Sequence, residues 1–227
     1  IDDQKVEVKA GGTVLEAIKE AGIYIPTLCY HPSLAPYGGC RLCVVEIEKM
    51  RGFPTSCTTP AGDGMVVKTK TPQLQDFRRG VLELMLTEHP HVCLICDRYD
   101  QSQNLSICKP FNICLRSTVV TERCLLCPKN QRCELQQVAD YIEIKEITLP
   151  YTYKELPVYS NDPFFDRDYN LCILCGRCVR VCQEIRGAGA IAFTYRGSQT
   201  LVGTAFGRTL EEAGCQFCGA CIDICPT

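Results

Sequence analysis

Cys172-Ile-Leu-Cys175-Gly-Arg-Cys178-Val-Arg-Val-Cys182 and, later, Cys215-Gln-Phe-Cys218-Gly-Ala-Cys221-Ile-Asp-Ile-Cys225-Pro226 follow one pattern, C-x2-C-x2-C-x3-C. The second run repeats the first, so the end of the chain is an internal duplication. A C-x2-C-x2-C turn wraps three thiolates round the corners of an iron–sulfur cube, and the x3 step carries a fourth along a short helix. Outward from these runs the same chemistry continues. The chain has nineteen cysteines, all in runs of cluster-like spacing, and His89 makes a twentieth ligand, or five sets of four.

Disulfides do not account for this composition. The count is odd, the chain of 227 residues is long for a disulfide scaffold, and most cysteines form C-x-x-C pairs that suit metal better than loop closure. The fitting compartment is a reducing, anoxic cytoplasm, where thiolates and reduced clusters survive. The formal charge is −2 without long blocks of one sign, which gives no support to nucleic-acid or membrane-surface binding. No apolar run approaches the roughly 18 residues of a membrane span. Large apolar side chains are sparse and Trp is absent, so in the second half clusters serve as local cores. The chain opens at Ile1 and closes two residues after Cys225, which allows for further sequence at either end.

The reading is α+β in three segments, 1–72, 73–150 and 151–227. In the first, Lys5-Val-Glu-Val-Lys9 alternates like a half-buried strand, and Gly11-Gly12 turns the chain. Thr13 with Glu16 forms a capping box for a helix whose apolar side is Val14, Leu15, Ile18 and Ala21, and Gly22 stops it. A loop bearing Cys29, Cys40 and Cys43 follows, then a strand at Val44–Glu48 and a turn before Cys57. Four thiolates spaced C-x10-C-x2-C-x13-C suit a [2Fe–2S] centre, with Gly38-Gly39 letting backbone N–H groups approach sulfur. A four-cysteine zinc site is the competing reading, but zinc knuckles favour two C-x2-C pairs and here there is one.

The middle segment starts with a helix over Gln73–Thr87, with Leu74, Phe77, Val81, Leu84 and Met85 on one face. His89-Pro90 closes it. Cys93, Cys96, Cys108, Cys114, Cys124, Cys127 and Cys133 follow, then a helix over Glu134–Ile142 with Leu135, Val138 and Ala139 inward. A histidine ending a helix beside a proline is often only a cap; His91 is its rival as a ligand, and His31 is read as a loop residue. In the last segment, Gly187-Ala-Gly189-Ala-Ile-Ala192 fits G-x-G-x-x-A, but it leads into a strand at Ile191–Phe193 rather than opening a helix. Its glycines are read as letting backbone pack near a cluster. Arg177, Arg180 and Arg186 are read as a solvated face that neutralises cluster charge.

These motifs resemble known families. The duplicated run resembles two-cluster bacterial ferredoxins, in which each run's fourth cysteine ligates the other cluster. That resemblance implies one set of Cys172, Cys175, Cys178 and Cys225 and another of Cys215, Cys218, Cys221 and Cys182. Gln183 stands where proline is usual. The first segment resembles the β-grasp [2Fe–2S] domain opening the large NADH-side subunit of complex I, NAD-linked formate dehydrogenases and many [FeFe] hydrogenases. Those relatives carry H-P-x-x-C-x-x-C-x5-C-x-L-Q in the middle, binding one [4Fe–4S] cluster through a histidine and three cysteines. Here the motif is split: His89-Pro-His-Val-Cys93-Leu-Ile-Cys96 matches its start, and Cys124-Leu-Leu-Cys127…Cys133-Glu-Leu-Gln136 its end. The insertion between them carries Cys108 and Cys114.

Eight middle ligands imply two [4Fe–4S] clusters. One partition gives Cys93, Cys96, Cys108 and Cys114 to an inserted cluster and His89, Cys124, Cys127 and Cys133 to the other; a second keeps His89 with Cys93 and Cys96. The full expectation is one [2Fe–2S] and four [4Fe–4S] clusters and no catalytic residue. The resemblance implies a multi-cluster electron-transfer subunit of a hetero-oligomeric, anaerobic oxidoreductase complex. Its partners would be a flavoprotein on the NAD(H) side and a further redox subunit such as a formate dehydrogenase, hydrogenase or other reductase. The alternatives are the electron-input region of a larger catalytic chain and a zinc-stabilised scaffold.

Overall fold

The structure is a computed structural model that describes residues 1–90, 127, 129, 132–144, 146–152 and 154–227. Cys93, Cys96, Cys108, Cys114, Cys124 and His91 lie outside the described residues. The chain divides into two compact units, residues 1–81 with 174–225 and residues 82–173 with 226–227.

In the first unit, helix α1 (Val14–Glu20) begins at Thr13, whose hydroxyl accepts from Glu16 N–H while the Glu16 carboxylate accepts from Thr13 N–H at 2.7 Å. This reciprocal pairing satisfies two otherwise orphaned donors of the first turn. Val14, Leu15, Ala17 and Ile18 bury the helix's inner side, and Ala21 caps its end ahead of Gly22, at φ +70°. The core they enter includes Ile25, Val45, Ile47, Val67 and the sulfur-bearing Cys43 and Cys57.

Strands β1 (Glu46–Ile47) and β2 (Val67–Lys68) pair antiparallel, with Ile47 opposite Val67. The expected strand at Lys5–Lys9 does not form. Val6 and Val8 are half-buried between exposed neighbours, so the alternation is real, but no ladder pairs with it. Pairing to β2 is made instead by Asp2, whose N–H donates to Val67 O at 2.9 Å and whose carboxylate accepts from Thr69 N–H and Oγ1.

Helix α2 (Pro72–Leu86) contains the boundary between the units. Its buried stripe is Leu74, Arg78, Leu82 and Leu86, whereas Leu84 is 63% exposed. The predicted face is therefore corrected: the stripe runs in steps of four through an arginine. Arg78 is fully buried because its fork is used. Nε donates to Leu42 O (3.0 Å), Nη2 to Val44 O (2.7 Å) and Nη1 to Gln75 Oε1 (2.8 Å).

The first unit also holds the C-terminal duplication from Leu174 to Cys225. Helices α4 (Arg177–Arg180) and α5 (Ala220–Asp223) each start after a left-handed glycine, Gly176 and Gly219, both at φ +74°. The residue before each run's second cysteine is left-handed as well, Leu174 at φ 54° and Phe217 at φ 50°. The sequence repeat is thus a backbone repeat. A side chain at Gly176 would also put its Cβ 3.1 Å from the Phe193 ring, so the position needs glycine on two counts. Past α4 the helix widens into a π turn, Val181–Ile185, and the chain folds back so that Ala188 and Gly189 N–H both donate to Cys182 O. The G-x-G-x-x-A stretch is thereby spent on closing over a cysteine. It leads into β5 (Ala192–Thr194), which pairs antiparallel with β6 (Leu201–Gly203).

In the second unit, helix α3 (Glu134–Ile142) buries Leu135, Gln136, Val138, Ala139 and Ile142, begins after Cys133 and stops at left-handed Glu143. Its first amide, Glu134 N–H, donates to Pro226 O at 2.9 Å. Strands β3 (Val158–Tyr159) and β4 (Arg167–Asp168) form a hairpin tied by the Arg167–Asp162 ion pair at 2.7 Å. Among the described residues no helix is long and apolar enough to cross a membrane.

Candidate metal centres

The first centre lies where the α1 core meets the loop 29–43. Cys29, Cys40, Cys43 and Cys57 are each at most 4% exposed, and none is in a disulfide. Local backbone turns its donors on sulfur: Leu28 N–H approaches Cys40 Sγ at 3.4 Å and Cys40 N–H approaches Cys29 Sγ at 3.3 Å. Gly38 N–H lies against Cys57, and Gly38 is at φ +68° with its missing Cβ within 3.2 Å of Thr58 Cγ2. Backbone amides that converge on sulfur stabilise negative charge there.

The four sulfurs titrate as two pairs. A hydrogen bond from the Cys29 thiol, aided by the amides of Leu42 and Leu28, lowers Cys40 to about 6 against the cost of burial. The Cys57 thiol likewise lowers Cys43 to about 7, and Cys29 and Cys57, which hold the shared protons, are pushed up. Each pair thus has a sulfur ready to be a thiolate, the form that binds iron. Ser56 Oγ is fully buried with no partner of hydrogen-bonding geometry, yet it lies close enough to Cys43 to favour the ionised thiol. Four buried sulfurs, inward amides and an orphaned hydroxyl beside one of them fit a cluster whose thiolates and sulfides accept hydrogen bonds.

In the duplicated region, Cys221 is raised by burial first and then by the charges of Cys215, Cys218 and Cys182. Those four are the set that the ferredoxin resemblance implies for one cluster, and Cys221 is near enough to the other three to feel their charge. Phe217 N–H approaches Cys215 Sγ at 3.4 Å. Of the other set, Cys175, Cys178 and Cys225 are partly buried in the first unit, and Cys172 belongs to the second. Among the described residues no three His, Cys, Asp or Glu side chains are placed to hold a single metal ion.

In the second unit His89 is buried at 5% exposure, with Nδ1 2.8 Å from Pro90 O. A carbonyl only accepts, so Nδ1 carries a proton, and in a neutral ring Nε2 is then the nitrogen that could ligate a metal. Cys133, buried, and Cys127, half-buried, are the described cysteines of the middle set.

Arg177 and Arg180 depart from expectation. They are 3% and 8% exposed, and only Arg186 of the three lies on the surface. Neither their burial nor that of Arg78 was visible locally, because the carbonyls they serve are far away in sequence.

Comparison with known proteins agrees with this chemistry. Residues 1–72 match a 2Fe-2S iron-sulfur cluster binding domain, residues 78–101 the NADH-ubiquinone oxidoreductase-G iron-sulfur binding region, and residues 162–227 the ferredoxin-like domain of NADH-quinone oxidoreductase subunit 3. The whole chain is 35% identical to part of the NADP-reducing hydrogenase subunit HndD of Solidesulfovibrio fructosivorans, covering 34% of that protein. It is 31% identical to part of the mitochondrial NADH-ubiquinone oxidoreductase 78 kDa subunit of Neurospora crassa, covering 26%. The chain therefore spans about a quarter to a third of the length of these relatives. In the crystal structure of an NAD+-reducing [NiFe]-hydrogenase in the H2-reduced state, one chain superposes with a TM-score of 0.71 at 31% identity, over 91% of this chain and 75% of that one.

Proposed function

Because the chain belongs to the iron–sulfur family that includes this hydrogenase chain and the matching part of the 78 kDa NADH-ubiquinone oxidoreductase subunit, we propose that it conducts single electrons through five clusters. It does so between a flavoprotein that exchanges hydride with NAD(H) and a further redox subunit, in a cytoplasmic hetero-oligomeric complex. The observation that carries this reading is the first centre: four buried thiols, none in a disulfide, with backbone amides turned on their sulfurs. Bound clusters would supply the one-electron chemistry. The chain's part is to hold them, to bury their thiolates and to keep water from them.

In the proposed assignment Cys29, Cys40, Cys43 and Cys57 hold a [2Fe–2S] cluster on a β-grasp scaffold. Cys172, Cys175, Cys178 and Cys225 hold one ferredoxin-type cluster, and Cys182, Cys215, Cys218 and Cys221 the other. His89 with Cys124, Cys127 and Cys133, and Cys93, Cys96, Cys108 and Cys114, hold the middle pair. The reading is tested by metal and sulfide analysis of anaerobically purified protein, which is expected to give about eighteen iron atoms with matching acid-labile sulfide. Zinc without sulfide would refute it. Replacing Cys108 or Cys114 by serine is expected to remove about four of those irons while the spectrum of the His89 cluster persists. Unchanged iron content would show that the insertion holds no cluster.

The share of each relative that is covered favours a second reading, the electron-input region of a larger catalytic chain. Denaturing electrophoresis of the natural protein separates the two: a band near 25.3 kDa means a stand-alone subunit, and a much heavier band a catalytic chain.

A further inference from the structure

The loop that carries Cys29 is held from outside its own segment. Arg180, in α4 between Cys178 and Cys182, donates from Nη2 to Cys29 O and from Nη1 to Ala35 O at 2.8 Å. Its guanidinium lies over the Tyr37 ring, 4.8 Å from the centroid. One turn on, Glu184 accepts from Ala35 N–H at 2.9 Å, and Leu34 packs with Val181 and Ile224. Loop 29–37 is thus seated on the ferredoxin helix through both polar groups of Ala35, the carbonyl of a first-centre cysteine and one aromatic ring.

Arg180 is 8% exposed, joins none of the ion pairs among the described residues, and leaves its Nε without a partner. A buried guanidinium is costly unless something compensates its charge. Two carbonyls and a ring face repay part of that cost, and a negatively charged centre bound at Cys29 would repay more. The charge of a guanidinium is permanent.

We propose that Arg180 is the positioning residue that seats the first centre's loop on the ferredoxin helix and that its buried charge raises the first centre's affinity for an electron. This rests on the reading that Cys29 ligates a [2Fe–2S] cluster. The charge acts through the Cys29 peptide, whose carbonyl it polarises, and so favours the reduced, more negative state of the centre. The hydrogen bonds act mechanically, because they tie Cys29 to the helical stretch between Cys178 and Cys182, the proposed ligands of the two ferredoxin-type clusters. The hydrogen bonds of Arg180 in the loop go to backbone carbonyls, so they survive exchanges of side chains that keep the chain path, whereas the contact with Tyr37 does not.

The test uses the full chain with its clusters. Potentiometric titration of the reduced [2Fe–2S] electron paramagnetic resonance signal is compared in wild type, Arg180→Met and Arg180→Lys. Hydrogen exchange of residues 29–37 is measured alongside. Methionine is expected to lower the centre's electron affinity about tenfold, or about 59 mV for a one-electron couple. Lysine, which keeps the charge but not the fork, is expected to stay within about threefold of wild type, because the effect belongs to the charge. Both variants are expected to raise exchange in 29–37 about tenfold, as each loses at least one of the two carbonyl bonds. An unchanged potential in Arg180→Met, or unchanged protection of 29–37 in either variant, overturns the proposal. If Arg180→Met does not retain iron, Arg180→Lys decides by its exchange alone. Wild-type protein lacking the [2Fe–2S] signal would instead overturn the underlying reading, so the two failures are distinguishable.

Discussion

Replacing Arg78 with methionine is expected to destabilise the first unit by about 3 kcal/mol and to cost the protein its [2Fe–2S] spectrum before its other clusters are lost. The magnitude follows from what is stranded. Methionine fills much of the same space, but the carbonyls of Leu42 and Val44 lose their donors while still buried, and each costs about 1–3 kcal/mol. Those carbonyls flank Cys43, so the peptides on either side of a proposed ligand are the ones released. Arg78→Lys is expected to recover part of the loss, since one ammonium cannot span both acceptors with the geometry of a planar fork. Denaturant unfolding followed by the visible absorption of the [2Fe–2S] centre is the check. A midpoint unchanged in Arg78→Met would mean that the two carbonyls find other donors and that the arginine is not what holds the Cys43 turn.

The second large effect concerns His89. Replacing it with cysteine is expected to preserve a [4Fe–4S] cluster while lowering its reduction potential by on the order of 100 mV, because a thiolate adds a negative charge where a neutral imidazole was. Redox titration of that cluster's signal gives the value. Pro90 O holds a proton on Nδ1, so in the proposed assignment a neutral ring would offer Nε2 to the cluster. A His89→Cys variant with its full iron content and unchanged potentials would show that the histidine is no ligand and merely ends α2.

Much of this molecule could be read from local sequence, and the exceptions share a cause. The capping box at Thr13 and Glu16, the stop at Gly22 and the inner face of α3 depend on residues within a few positions, and the structure has all of them. The cysteine spacing singles out Cys29, Cys40, Cys43 and Cys57, and all four are buried. In α2 the apolar periodicity puts Leu84 on the inner face, yet Leu84 is exposed and Arg78, which that periodicity does not include, is fully buried. A charged residue carries no sign of burial in its neighbours. What buries Arg78 are two carbonyls more than thirty positions upstream, and what buries Arg180 is a loop at the other end of the chain. Lys5–Lys9 failed in the same way, since its alternation gave the burial of Val6 and Val8 but could not supply a pairing strand. The left-handed Leu174 and Phe217 had a usable signal in the duplication itself, because equivalent positions of a repeat share backbone as well as ligands.

The two arginines also differ in when they become available. Arg78 reaches a carbonyl 36 residues back, whereas Arg180 reaches one 151 residues back. At synthesis rates of about 5–20 residues per second, the first partner follows its acceptor by about 2–7 s and the second by about 8–30 s. In the newborn chain the turn at Cys43 is therefore braced early, while the loop from Cys29 to Tyr37 waits several times longer for its seat.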